Sequence, residues 1–307
     1  MNSKLVVLGG INIDLIALTS RLPMPGETII GKSFYTTPGG KGANQAVAAA
    51  RLGSDVAMIG RIGSDMFGPG LVEDMQREGV DVQNVVEDSE NSSGVAVILL
   101  DEKRQNHIVQ AHGANAECGI EQLSAAKKSL IGADALLVQQ EIPVGISIEA
   151  AQFAQNNGVK VFWDPAPVRE VPDNCYKNVY ALTPNQTEAF AITGIKVEDR
   201  NSAEKASEKI RELGVPVAIV KMGEDGVFYS SDDDTGHVQS FDVTPVDTVA
   251  AGDAFGAALA VAIVEDLPLR DAVRFGSAAG ALAVTKEGAQ ISMPKRAEVE
   301  SLLVEHL

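Results

Sequence analysis

The sequence predicts an α/β protein: three layers, α/β/α, with a mostly parallel central sheet and a small β-sheet lid. Three observations carry this. Short apolar runs such as Leu5-Val6-Val7-Leu8 alternate with helical stretches, as strands buried on both faces of a parallel sheet require. Those helical stretches close on glycine, at Gly53, Gly79, Gly158, Gly194 and Gly214. Two other stretches, about 11–36 and 94–111, hold only short strand-like runs and turn residues, so they form a separate sheet.

The first strand, residues 4–8, runs into Gly9-Gly10. No third glycine or helix opening follows, which excludes a dinucleotide fingerprint. Asn12 and Asp14 stand just past that strand's carboxyl end, the side on which open α/β sheets bind ligands. They suit a polyol, and equally an ordinary polar turn. Between residues 13 and 35, Pro23, Pro25, Gly26 and Gly31 leave Thr28–Ile30 and Ser33–Tyr35 as expected strands. A hairpin over 94–100 and 106–110, around the polar turn 101–105, joins them as a lid that excludes water during a transfer reaction.

Gly39-Gly40-Lys41-Gly42-Ala43-Asn44 leads into an alanine-rich helix over 43–52. Its glycines admit a ligand close to the backbone, and Lys41 and Asn44 offer a cation and an amide. A plain glycine turn is the alternative, and the spacing is not that of a P-loop. Strand 56–59, helices 69–78 and 120–130, strand 135–139, helix 146–157 and strand 159–163 follow, with Glu141 and Asp164 just after two of the strands. A helix opening near Asn185 ends at Gly194, and Asn185 and Glu188 lie three apart on one face. They either position water and Mg²⁺ at phosphates or cap the helix. Helix 203–213 and strand 217–220 lead to the glycine-bearing turn Lys221–Gly226 and a hairpin with Ser231–Asp234 at its tip. Helices over 269–285 and from about 295 to 307 close the chain.

The chemistry centres on Asp247-Thr248-Val249-Ala250-Ala251-Gly252-Asp253, just before the apolar helix Phe255–Val264. The N–H groups of Ala250, Ala251 and Gly252 crown that helix and form an anion site without side chains. Asp253 either takes a proton from an attacking hydroxyl beside that crown or complements the helix dipole.

Composition sets limits. With 307 residues, 45% hydrophobic, the chain buries a sizeable core, and its formal charge of −17 argues against nucleic acid or an anionic membrane as partner. Two cysteines, Cys118 and Cys175, do not make a disulfide framework, which fits a reducing cytoplasm. The four histidines show no metal-ligand spacing.

Taken together, Gly39–Ala46, Thr183-Pro184-Asn185-Gln186-Thr187-Glu188 and Asp247–Asp253, in that order, resemble the signatures of the ribokinase/PfkB carbohydrate kinase family nearly end to end. The resemblance implies a single ribokinase-like domain over 1–307 with the lid inserted, and ATP-dependent phosphorylation of the 5-hydroxyl of D-ribose. It implies Asp253 as base with the N–H groups of Ala250, Ala251 and Gly252 as anion hole. It assigns the sugar to Asn12, Asp14, Gly40, Lys41, Asn44, Glu141 and Asp253, with Asn12 reading secondary hydroxyls. The nucleotide falls to Asn185, Glu188, Lys221, Gly223, Asp225, Gly226, Gly252 and Ser277. Mg²⁺ accompanies ATP, and K⁺ is implied by carbonyls at Asp247, Val249, Ala283, Lys286 and Gly288 with the Ser292 side chain. A homodimer through the lid sheet is expected, with no nucleic acid and no membrane partner. Ala250-Ala251 stands where many members have Gly-Ala, a change that backbone donors tolerate unless the backbone angles need glycine. Ala254, Gly256 and Ser277 also depart from common residues on the nucleotide side. A kinase for another sugar, a keto sugar acid or a nucleoside, or a non-catalytic sugar-binding regulator, are the competing readings; Phe34 and Tyr35 are the aromatics a nucleoside pocket would use.

Overall fold

The structure, a computed structural model, describes residues 2–101 and 106–306. In chain order its elements are β1 (Lys4–Leu8), β2 (Asn12–Leu18), β3 (Ser33–Gly39), α1 (Lys41–Arg51), β4 (Asp55–Gly63), α2 (Gly68–Arg77), β5 (Asp81–Asp88), β6 (Gly94–Leu100) and β7 (Asn106–Ala111). Next come α3 (Ile120–Ser129), β8 (Ala135–Val138), α4 (Val144–Asn156), β9 (Lys160–Trp163), β10 (Ala181–Leu182), α5 (Gln186–Thr193) and α6 (Arg200–Glu212). The last are β11 (Val217–Lys221), β12 (Val227–Ser230), β13 (Thr235–Val238), α7 (Ala251–Val264), α8 (Leu269–Ala283) and α9 (Arg296–Glu305).

Nine strands form the large sheet in the order β13-β12-β11-β10-β9-β8-β1-β4-β5. Its pairs are parallel from β11 to β5, and β12 and β13 add an antiparallel edge. Because side chains alternate across a strand, Leu5 and Val7 of β1 enter the core beneath α1, α7 and α8, while Val6 and Leu8 enter the core beneath α3, α4 and α6. That alternation is why the strand reads as an unbroken apolar run, and it builds the expected three layers.

The second sheet has four strands, β3-β2-β6-β7. Thr28–Ile30, expected to be a strand, is irregular, and Ile30 is almost fully exposed. With no partner strand, β-branched composition alone does not make one. The lid instead recruits β2, immediately after Gly10. Residues 102–105 of the expected hairpin turn lie outside the described residues. Asp14 pairs with Thr37 on one side and Ala96 on the other, and Ala96 pairs with Gln110, so these four form one row across the lid. No helix among the described residues is long and apolar enough to cross a membrane.

Candidate active site

Two turns and a lid strand bring the acceptor-side residues together. Gly40 precedes α1 with φ of +90°, and a Cβ there would lie 2.6 Å from the Asn12 amide nitrogen, so only glycine fits this close approach of β2 to the helix. The Lys41 N–H then donates to Glu141 Oε2 at 2.7 Å. Asn12 Nδ2 and Gln110 Nε2 both donate to Glu141 Oε1, at 3.3 and 2.7 Å. Asn44, in the first turn of α1, donates from Nδ2 to Asp253 Oδ2 at 2.8 Å. Hydrogen bonds thus join Asn12, Lys41 and Glu141 in one set and Asn44 and Asp253 in another, and the mutual charges of Asp14, Lys41, Glu141 and Asp253 couple the two into one polar cluster, with Gly40 against Asn12.

Several members of that cluster escaped the sequence. Gln45 Nε2 donates to the other Asp253 oxygen at 3.2 Å, and Gln139 Nε2 donates to Gln45 Oε1 at 2.6 Å. Asp164, after β9, takes Lys221 Nζ at 3.2 Å. Asn115 donates to Asn12 Oδ1 at 2.7 Å and accepts from the Ile11 N–H at 3.0 Å, which fixes the Asn12 amide. Gln45 lies beside Asn44 in a quoted motif, and Asp164 follows a strand; Gln110, Gln139 and Asn115 carried no local signal.

Burial sets the electrostatics. Asp253 is 2% exposed, and desolvation pushes its carboxyl above the usual range; Lys41 and the Asn44 hydrogen bond pull it back, and Asp164 pushes it further. Asp14 is raised to about 7, mostly by burial and then by the neighbouring charges of Glu141, Asp253 and Asp247. Burial works against the Lys41 ammonium, but Asp253, Asp164, Glu141 and Glu188 together lift it above the ordinary lysine value. A cation and several carboxylates thus shift one another in one buried site, the kind of perturbation that gathers at functional sites.

The crown of α7 lies on the other side of Asp253. The first bond of this helix runs from the Ala254 N–H to Ala250 O at 3.0 Å, so the N–H groups of Ala250, Ala251 and Gly252, and that of Asp253 as well, precede it, and no side chain caps them. Ala250 itself sits at φ of +61°. The backbone angle here is one that favours glycine, the condition under which the alanine would matter, and left-handed alanine costs about 1–2 kcal/mol. Strain at a functional loop is a recurrent association.

A cleft of about 940 Å³ opens from this crown, lined among others by Asn185, Lys221, Gly223, Gly226, Gly252 and Ser277. Asp225 and Glu188 do not line it. Glu224 faces the cleft in place of Asp225, whose backbone carbonyl accepts from His237 Nε2 at 2.7 Å. Glu188 is occupied in a capping box: it accepts from the Asn185 N–H at 2.7 Å and Asn185 Nδ2 at 2.8 Å, while its own N–H donates to Asn185 Oδ1 at 2.9 Å. Its carboxyl is raised, first by burial. Ser277 Oγ donates within its own helix to Val273 O at 2.9 Å.

The positions expected around a monovalent cation fall on two adjoining loops. Asp247 ties them, accepting from the Val249 N–H at 3.0 Å and the Gly288 N–H at 3.1 Å. Ser292 is fully buried and donates to Ala289 O at 2.7 Å; Ala283 O accepts from the Lys286 N–H at 3.2 Å. Lys286 Nζ pairs with Glu298 at 2.9 Å. Among the described residues, no group of three or more His, Cys, Asp or Glu side chains could hold a metal ion.

A three-layer α/β body with a four-stranded lid, and a buried carboxylate between a polar pocket and an uncapped helix N-terminus, define the class of lidded carbohydrate kinases. The chain belongs to the pfkB family of carbohydrate kinases, whose family model matches residues 2–296. The ribokinase of Haemophilus influenzae is 39% identical over 303 residues, spanning 99% of each chain. The deoxyribokinase of Salmonella typhi is 33% identical over 291 residues, 94% of this chain and 95% of its own. A solved structure of Arabidopsis thaliana ribokinase complexed with ribose and ATP superposes with a TM-score of 0.90 at 34% identity, covering 99% of both chains.

Proposed function

We propose that this protein phosphorylates the 5-hydroxyl of D-ribose with ATP. The observation that carries the reading is the position of Asp253, buried and hydrogen-bonded by Asn44 and Gln45 on the acceptor side, with the open N–H groups of α7 next to it in the chain. The sugar's secondary hydroxyls are held by Asn12, Asp14 and Glu141, and its primary hydroxyl is directed at Asp253. Asp253 accepts the hydroxyl proton as the oxygen attacks, and the N–H groups of residues 250–252 receive the charge that develops on the transferred phosphoryl group. The raised Asp253 carboxyl makes it a stronger base than a solvated aspartate. ATP occupies the cleft beside the crown, and Lys221 supplies a cation near its phosphates.

Mg²⁺, which would neutralise and orient those phosphates, would be held chiefly by phosphate oxygens and water, since Glu188 is engaged in its capping box and the acidic side chains lining the cleft are Glu224 and Asp242. The Asp247, Val249, Ala283, Lys286, Gly288 and Ser292 loops offer carbonyl, hydroxyl and carboxylate oxygens, a hard donor set that fits K⁺, and Asp247 already braces them against each other. The chain acts as a single domain in a reducing cytoplasm, with both cysteines free. Phe34, Val97 and Val109 are exposed on the lid face opposite Asp14, and we assign them to a homodimer in which two lids cover each other. Light scattering that finds only monomer at micromolar concentration removes that assignment.

The deciding experiment is ADP release with MgATP over a panel of sugars and nucleosides, each in K⁺ and in Na⁺. Rapid, K⁺-stimulated turnover on ribose is expected. Preference for 2-deoxyribose or a nucleoside moves the substrate, and no turnover on any panel member overturns the reading.

A further inference from the structure

Gln110 is a lid residue beside the acceptor pocket that no sequence motif marks and that the proposed reaction leaves without a task. Its register gives it one. Gln110 pairs with Ala96, and Ala96 with Asp14, so its side chain emerges on the same face of the lid as Asn12 and Asp14, two strands away. From there Nε2 reaches Glu141 Oε1 at 2.7 Å. Glu141 belongs to the body, following β8, and is 4% exposed. Its other oxygen is held by the Lys41 N–H at 2.7 Å. The carboxylate is therefore clamped between a rigid helix start on one side and the lid on the other.

A second contact ties the same end of the lid to the body: Arg169 Nη2 lies 2.8 Å from His112 Nε2, two residues beyond Gln110. The Arg169 N–H donates to Gln140 Oε1 at 2.9 Å, immediately before Glu141. The end of β7 and the loop carrying Glu141 are thus tied together by two contacts between lid and body.

We propose that Gln110 is a positioning residue that orients Glu141 for the acceptor sugar and makes that orientation conditional on lid closure. This rests on the reading of the pocket as the acceptor site. A carboxylate accepts several hydrogen bonds in its plane. With Oε1 taking both Gln110 and Asn12 and Oε2 taking the Lys41 N–H, the acceptor direction left on Oε2 is fixed for a sugar hydroxyl, and a sugar lacking that hydroxyl leaves this desolvated acceptor site unfilled. Gln110 touches neither the crown of α7 nor the nucleotide cleft, so its effect belongs to the acceptor sugar alone.

The test uses the full-length protein with Gln110→Met, which keeps side-chain length and volume but removes the donor. Gln110→Glu sets a second carboxylate against Glu141. A hydrogen bond to a charged group corresponds to a roughly tenfold or greater change. KM for ribose should therefore rise about tenfold in Gln110→Met and further in Gln110→Glu, with KM for ATP unchanged and kcat within about threefold. The ratio of kcat/KM for ribose to that for its deoxy analogues should fall in parallel. A merely structural contribution to the lid would lower the melting temperature without splitting the two KM values. Wild-type KM for ribose in both variants overturns the proposal. If the wild-type protein turns over a different panel sugar, the same comparison is made with that sugar, so failure of the ribose assignment and failure of the Gln110 assignment give different results.

Discussion

The two sides of Asp253 are built from different materials. On the acceptor side, Asn12, Asn44 and Glu141 are buried polar side chains that bond one another or Asp253, Asp14 is buried within reach of their charges, and the Asn44–Asp253 contact spans 209 positions of sequence. On the nucleotide side, a cleft of about 940 Å³ is walled by glycines, the start of α7 and apolar residues such as Phe255, Ala281 and Val284. The first arrangement discriminates, because any mismatch strands a buried charge or amide. The second offers backbone donors at the uncapped start of α7, which a side-chain substitution does not delete.

This contrast can be broken in order of expected effect. Asp253→Asn keeps an acceptor for Asn44 and removes the base, so kcat should fall about 10²- to 10⁴-fold with ATP affinity retained; single-turnover kinetics and equilibrium ATP binding read the two separately. A near-wild-type rate would show that the acceptor side does not supply the base.

Asp14 offers a stability test with a definite sign. Its folded value of about 7 lies above the ordinary 3.8, so the folded chain retains a proton that the unfolded chain has lost. The associated stability is complete below the unfolded value and disappears as pH rises through about 7. Relative to Asp14→Asn, the wild-type protein should lose about 2–3 kcal/mol between pH 5 and pH 8, measured by urea unfolding at each pH. Parallel pH profiles for the two proteins would remove Asp14 as the titrating group.

On the other side of the contrast the effects shrink. Ala250→Gly relieves a left-handed alanine, and after the extra freedom glycine brings to the unfolded chain, a gain of about 0.5–1 kcal/mol is expected in the urea midpoint. Turnover should stay within about twofold, since the donors are backbone groups; a large fall would show that the crown depends on this side chain. Smallest is Ser277→Ala. Its hydroxyl is already bonded to Val273 O at 2.9 Å, so KM for ATP should change by less than about twofold.

The same division governs what could be read in advance. Runs such as Leu5–Leu8 and the glycine stops identified most of the layered body, because burial on both faces of a strand is written directly in composition. β5 was missed: it is an edge strand whose residues Asp81-Val82-Gln83-Asn84 alternate with polar groups, and its pairing with β4 is interrupted between Ala57 and Ile59. β10 is two residues long and exists only because β9 and β11 flank it. In the site, Asn44, Lys41 and Asp253 were legible from motifs, whereas Gln139, Asn115 and Gln110 were not. Their partners lie 94, 103 and 31 positions away, and a lone amide in a sequence does not announce its partner.

The sequence by itself determined the alternation of strands and helices, the helix whose N-terminus is left uncapped, and the carboxylate beside it. These follow from periodicity, glycine and spacing, which act over a few residues. Tertiary structure decided the rest: that Glu188 caps its helix rather than lining the cleft, that Ala250 is strained, that Asp14 titrates near 7, and that the lid reaches Glu141 through Gln110. Burial, charge–charge coupling and hydrogen-bond geometry depend on distances between segments far apart in the chain, and only the packed fold sets those distances.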